Sequence, residues 1–101
     1  MAGKAVDFGY LEDFMAGDRA VVREVLGLFL QQAETWRPDL EPGSAGWRDV
    51  IHTIKGSARG VGAIALGDAC AEAEAEGDGA LRAVRAALEA ALSDINDYLR
   101  R

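Results

Sequence analysis

Apolar residues recur with helical period along almost the whole chain. In residues 7–15, Phe8, Leu11, Phe14 and Met15 occupy adjoining faces of a short amphipathic segment. After an interruption at Gly17, Val22, Val25, Leu26, Phe29, Ala33 and Trp36 repeat at helical spacing, with Asp18 placed to cap the first turn. Pro38 lacks a backbone donor and biases Arg37 away from helical angles, while Leu40 keeps the apolar spacing. The long helix therefore either ends or kinks there. Glu41, Pro42 and Gly43 predict a turn, and Ser44 is placed to cap the next helix. That helix carries Trp47, Val50, Ile51, Ile54, Ala58 and Val61 on one face. Its end is expected at Gly60 and Gly62, because glycine tolerates the left-handed angles that helix termini often need.

Residues 63–76 point Leu66, Cys70 and Ala73 toward a core and Asp68, Glu72, Glu74 and Glu76 outward. Gly77, Asp78 and Gly79 mark a turn. A last helix over about residues 80–99 presents Leu81, Val84, Leu88, Ala91, Leu92, Ile95 and Leu99 on one side. No stretch alternates with strand period, and no repeat is present. Short connections return each helix beside the one before it. The expected fold is all-α: an antiparallel up-down four-helix bundle with a short additional N-terminal helix, as one domain over residues 1–101.

Composition narrows the function more than the fold. At 101 residues, half of them hydrophobic and 28% charged, the chain reads as an ordinary soluble domain with a single core. Its net charge of -6 argues against binding nucleic acid through the phosphate backbone, and against a basic membrane-surface helix. No apolar run is long enough to span a membrane, and the opening Met-Ala-Gly-Lys lacks a signal-peptide core after it. The lone Cys70 cannot form an intramolecular disulfide, which suits a reducing, cytoplasmic setting. With one histidine and one cysteine the chain lacks the ligands of a zinc site, so no metal or cofactor is expected on it. The initial methionine and a final helix finishing at Arg101 favour a stand-alone protein.

Candidate chemistry concentrates in residues 50–63, V-I-H-T-I-K-G-S-A-R-G-V-G-A. At about 100° per residue, His52 points roughly 150° away from the apolar stripe and stands in solvent. Lys55 and Arg59 follow at i+3 and i+7, a poor surround for a protonated imidazole but a good one for a phosphoryl group. Gly56 at i+4 weakens the helix by roughly 1 kcal/mol relative to alanine. That loss is understandable if something must approach the imidazole there. Neutral imidazole is also a competent nucleophile near pH 7. Other readings fare worse. G-V-G-A-I-A at residues 60–65 mimics a dinucleotide fingerprint but joins two helices instead of a strand and a helix. Ser57 lies too far around the helix from His52 for a catalytic pair, and no nucleotide-binding loop is present, so autonomous kinase activity is not expected.

The run His52-Thr-Ile-Lys55-Gly56-Ser-Ala-Arg-Gly-Val-Gly62-Ala63 resembles the signature of the histidine-containing phosphotransfer (HPt) domain. Leu66, Cys70 and Glu74 downstream and Phe8, Leu11 and Phe29 upstream extend the likeness over nearly the whole chain. The resemblance implies a phospho-accepting His52, a Lys55 that steadies phosphoryl oxygens and a Gly56 that leaves them room. It implies that Glu74 bonds the second ring nitrogen of His52; a solvated helix acid is the other reading of that residue. It further implies a relay, from a response-regulator aspartyl-phosphate or a hybrid histidine kinase receiver through His52 to another receiver domain, with Mg²⁺ on the receiver. A monomer is expected. Docking would use apolar side chains near the histidine. Leu11, Met15 and Leu28 are candidates, each with burial against the bundle as the alternative, whereas Phe8 and Phe14 are expected inside. Arg59 either aids the phosphate or meets an acidic partner surface. The rival functions are a silent HPt-like adaptor that binds receivers without accepting phosphate, an unrelated helical interaction module, and an acid–base enzyme built on His52.

Overall fold

A computed structural model describes residues 5–101; the reading of the Met-Ala-Gly-Lys terminus concerns residues outside these. Among the described residues the regular structure is entirely helical. The helices are α1 (Phe8–Phe14), α2 (Arg19–Trp36), α3 (Trp47–Val61), α4 (Ile64–Glu76) and α5 (Leu81–Leu99), with single 3-10 turns at Arg37–Asp39 and Asp78–Ala80. Helices α2 to α5 pack in a ring, each on its two neighbours, and α1 lies against α3 and α2.

The two aspartates that precede helices act as N-caps. Asp18 accepts from Val21 N at 3.2 Å and Asp7 from Tyr10 N at 3.0 Å. Asp18 was expected from the sequence. Seven residues are too few for an independent helix, so α1 depends on its anchors. Leu11 is fully buried, Phe8 stacks on Tyr98 at 4.4 Å, and Asp7 N donates to Gly62 O at 2.9 Å.

The choice at Pro38 resolves into a compromise. The α-type bonding of α2 ends at Trp36, and the chain continues as a 3-10 turn with the proline at its start, where no N–H is required. The tightened turn delivers Leu40 into the core, fully buried.

Two expected helix ends differ. Ser44 does not cap α3, which starts at Trp47 after Gly46 and has no side-chain cap; the Ser44 hydroxyl donates to Asp39 Oδ1 at 3.3 Å instead. The turn is simply two residues longer than the spacing of Ser44 implied. Gly60 lies inside α3, and Gly62 alone ends it, with φ of +83°. Ala58 O accepts from both Gly62 N and Ala63 N, so the left-handed residue satisfies the terminal carbonyl without help from Gly60.

The core draws Val22, Leu26, Phe29, Ala33 and Trp36 from α2, and Ile51, Ile54, Ala58 and Val61 from α3. It adds Leu66, Cys70 and Ala73 from α4 and Leu81, Val84, Leu88, Ala91, Leu92, Ile95 and Tyr98 from α5. Among the described residues no charged or polar residue type is buried there, whereas a few large apolar side chains, Phe14, Leu28 and Ile64 among them, stay exposed. Polar ties run outside the core. Arg37 joins Glu34 and Glu89 at 2.7 and 2.9 Å, and the Tyr98 hydroxyl donates to Glu12 Oε2 at 2.6 Å.

Candidate functional site

The middle of α3 turns one face outward, and His52 stands on it with its side chain 76% exposed. Ile51 and Ile54 on either side are fully buried, which fixes the helix rotation and keeps the imidazole in solvent. From α4, Glu74 reaches across the α3–α4 seam. One carboxylate oxygen, Oε2, lies 3.3 Å from His52 Nδ1, and the other accepts from Lys55 Nζ. An ionised carboxylate can only accept, so this hydrogen bond requires the proton on Nδ1. Nε2 then carries the free lone pair, on a side chain that is mostly in solvent. The Lys55 ammonium, hydrogen-bonded to Glu74, holds that carboxyl below the usual carboxylate range; partial burial opposes the shift and His52 adds to it.

The sequence left Glu74 between two readings, contact with His52 or a solvated acid. The structure places it in contact with both His52 and Lys55. Beneath them Cys70 is fully buried, and burial pushes its thiol up to about 12, so it offers no thiolate near neutral pH.

On the other flank of His52 the surface is bare. A Cβ added at Gly56 would meet nothing within 4 Å, and the same is true at Gly60. Neither glycine therefore serves internal packing. Beside Gly60, an open groove of about 280 Å³ runs between α2 and α3, lined chiefly by Val25, Leu28, Gln32, Ser57 and Gly60. Leu28 is 55% exposed at its edge.

The remaining candidates divide. Leu11 is wholly buried under α1 and is withdrawn as a partner-binding residue. Met15 is half-buried against the core. Phe14, expected inside, is 69% exposed and stacks on Tyr10 at 6.3 Å. The short helix packs through Leu11 and the Phe8 side, which leaves Phe14 on its outer surface. Phe8 is partly buried against the core, as expected. Arg59 is exposed and its side chain lies over Gly67 of α4.

Sequence reasoning overlooked Arg48, whose guanidinium sits 4.4 Å over the Trp47 ring. Its position four residues before His52 puts it on the same face. The groove was overlooked as well, because its walls come from two helices and half of its residues look like ordinary core or surface positions. Among the described residues no group of His, Cys, Asp and Glu is arranged to hold a metal ion, and no helix is long and apolar enough to cross a membrane.

The comparisons with known proteins agree with this geometry. Residues 24–100 match the Hpt domain family model. The chain is 56% identical to the histidine phosphotransferase ShpA from Caulobacter crescentus, whose crystal structure superposes with a TM-score of 0.88. The alignment covers 95% of this chain and 91% of that one. No match was found among curated proteins. An exposed histidine on a four-helix bundle, a family model over most of the bundle and a close structural likeness over nearly all of it lead to one conclusion: the chain belongs to the Hpt domain family.

Proposed function

We propose that this protein is a phosphorelay intermediate that accepts a phosphoryl group on His52 from the aspartyl-phosphate of a response-regulator receiver domain and passes it to another receiver. The observation that carries the reading is the exposed imidazole with Nδ1 on Glu74 and Gly56 beside it. The lone pair on Nε2 attacks phosphorus in line, the bond from phosphorus to the aspartyl oxygen breaks, and the aspartate leaves as carboxylate. The ring then carries positive charge shared with the Nδ1–H, and the Glu74 carboxylate offsets it. Transfer to the next receiver reverses these steps.

Lys55 has three donors, so it can keep Glu74 and still hold a phosphoryl oxygen. Gly56 leaves those oxygens room. The receiver would supply Mg²⁺ and the remaining catalytic groups. The donor receiver is expected to belong to a hybrid histidine kinase, and this chain would act as a cytoplasmic monomer. The groove beside Gly60, with Leu28 at its rim, offers apolar surface for a small, short-lived interface. The silent-adaptor reading is not favoured, because an adaptor has no need for the Glu74 contact or for bare backbone next to the histidine.

Incubation with a phosphorylated receiver and Mg²⁺ should place an acid-labile, base-stable label on the wild-type chain and none on His52→Gln. Label that persists on His52→Gln would overturn the assignment. A wild-type chain left unlabelled by every receiver that binds it would restore the adaptor.

A further inference from the structure

Gly67 sits within α4, buried, where alanine would make a better helix. The three nearest atoms to a Cβ built there all belong to Arg59: Cγ at 3.2 Å, Nε at 3.4 Å and Cδ at 3.9 Å. No backbone or core side chain comes as near. The glycine therefore accommodates the arginine stem that α3 lays on α4.

Arg59 makes no ion pair among the described residues, as is also true of Arg19, Arg23, Arg48, Arg82 and Arg101; what sets it apart is its seat on Gly67. Arg59 lies seven residues after His52, two turns along the same face. Lys55, the nearer cation, is already engaged with Glu74. An exposed guanidinium with a seat and no internal partner is a group prepared for an external anion.

We propose that Arg59, seated on Gly67, is a specificity-determining residue that recognises a carboxylate-rich rim on the partner receiver and acts on docking instead of on transfer. This rests on the phosphorelay reading of His52. With a net charge of -6 the molecule as a whole repels an acidic protein. On the face of His52, Arg48 and Arg59 are cations without a carboxylate partner among the described residues, while Lys55 is paired with Glu74, so an acidic partner is steered to approach along α3. Screening over roughly 8 Å at physiological salt confines that attraction to the final approach.

The test compares wild type, Arg59→Glu, Arg59→Lys and Gly67→Ala for transfer from a phosphorylated receiver at low and moderate salt. Arg59→Glu should raise KM by roughly tenfold with kcat at saturation changed by less than about twofold, and should flatten the salt dependence. Arg59→Lys should fall between. Gly67→Ala, checked for folding by circular dichroism, should displace Arg59 and raise KM more modestly. An unchanged KM in Arg59→Glu, or a loss confined to kcat, would overturn the proposal.

Receiver binding is also measured on His52→Gln, which cannot be labelled. Binding weakened there by Arg59→Glu upholds the role of Arg59 even if wild type never accepts phosphate. Normal labelling of wild type with binding indifferent to residue 59 sinks this proposal alone. Absence of binding by any receiver sinks both.

Discussion

At the scale of single residues, the site is a carboxylate shared between a lysine and a histidine. Glu74 holds both because α4 crosses α3 at the level of His52 and Lys55, one helical turn apart. Its lowered carboxyl pKa has a definite sign for pH dependence. A carboxyl group depressed in the native state contributes stability that is present above its unfolded value and lost as pH falls through the native one. The Lys55–Glu74 tie should therefore persist down to pH values below the ordinary carboxylate range. Carbon-detected NMR titration of the Glu74 side chain should give a midpoint under that of a model glutamate. Lys55→Met should move the midpoint upward, since Lys55 is the main cause of the shift. A midpoint unmoved by that substitution would show that Lys55 does not govern Glu74.

At the scale of the element, α3 and its C-cap carry glycines of opposite kinds. Gly62 ends the helix at φ +83°, and a Cβ there would stand 2.7 Å from Asp7 O, the carbonyl that leads into α1. Gly56 lies in ordinary helix with open space around it. Alanine at these positions should act with opposite sign. Gly62→Ala should lose upward of about 1 kcal/mol, through left-handed strain and the clash with Asp7. Gly56→Ala should gain up to about 1 kcal/mol from helix propensity, raising Tm by a few degrees, while slowing phosphotransfer. Thermal melts of the two variants decide it, and a destabilised Gly56→Ala would show that this glycine has a packing role. Sequence alone grouped Gly60 with Gly62 as helix terminators. Only the position of Asp7, brought from the far end of the chain, shows which of them the turn requires.

At the scale of the molecule, the N-terminal segment is held to the last helix by polar contacts that no local pattern announces. Asp94 Oδ2 accepts from Ala5 N at 2.5 Å and Val6 N at 3.3 Å, and Glu12 accepts from the Tyr98 hydroxyl. Glu12 raises the Tyr98 pKa, chiefly because the hydrogen bond to the carboxylate favours the protonated phenol. Removing the hydroxyl with Tyr98→Phe keeps the stack on Phe8 and deletes this tie. It should lower stability by about 1 kcal/mol in denaturant titration, with no change in m-value. A neutral result would mean that α1 is held by Leu11 and Phe8 without the hydrogen bond.

The helices, their order and their core faces were legible in the sequence, because burial here follows a simple 3.6-residue period with no polar residue type in the core. His52 was legible for the same reason, since a helix with Ile51 and Ile54 inside must turn residue 52 outward. Lys55 and Gly56 lie within one turn of it, where spacing alone sets proximity. Contacts between helices were not legible. The helical period says that Glu74 leaves α4 on a polar face but not what stands opposite, and it gave Leu11 and Phe14 no reliable side, because a two-turn helix has too few residues to define one. The seat of Arg59 on Gly67 depends on how α3 and α4 approach, which side-chain packing across the whole bundle sets. Periodicity along the chain thus determined which residues face outward; the tertiary structure decided which outward residues meet.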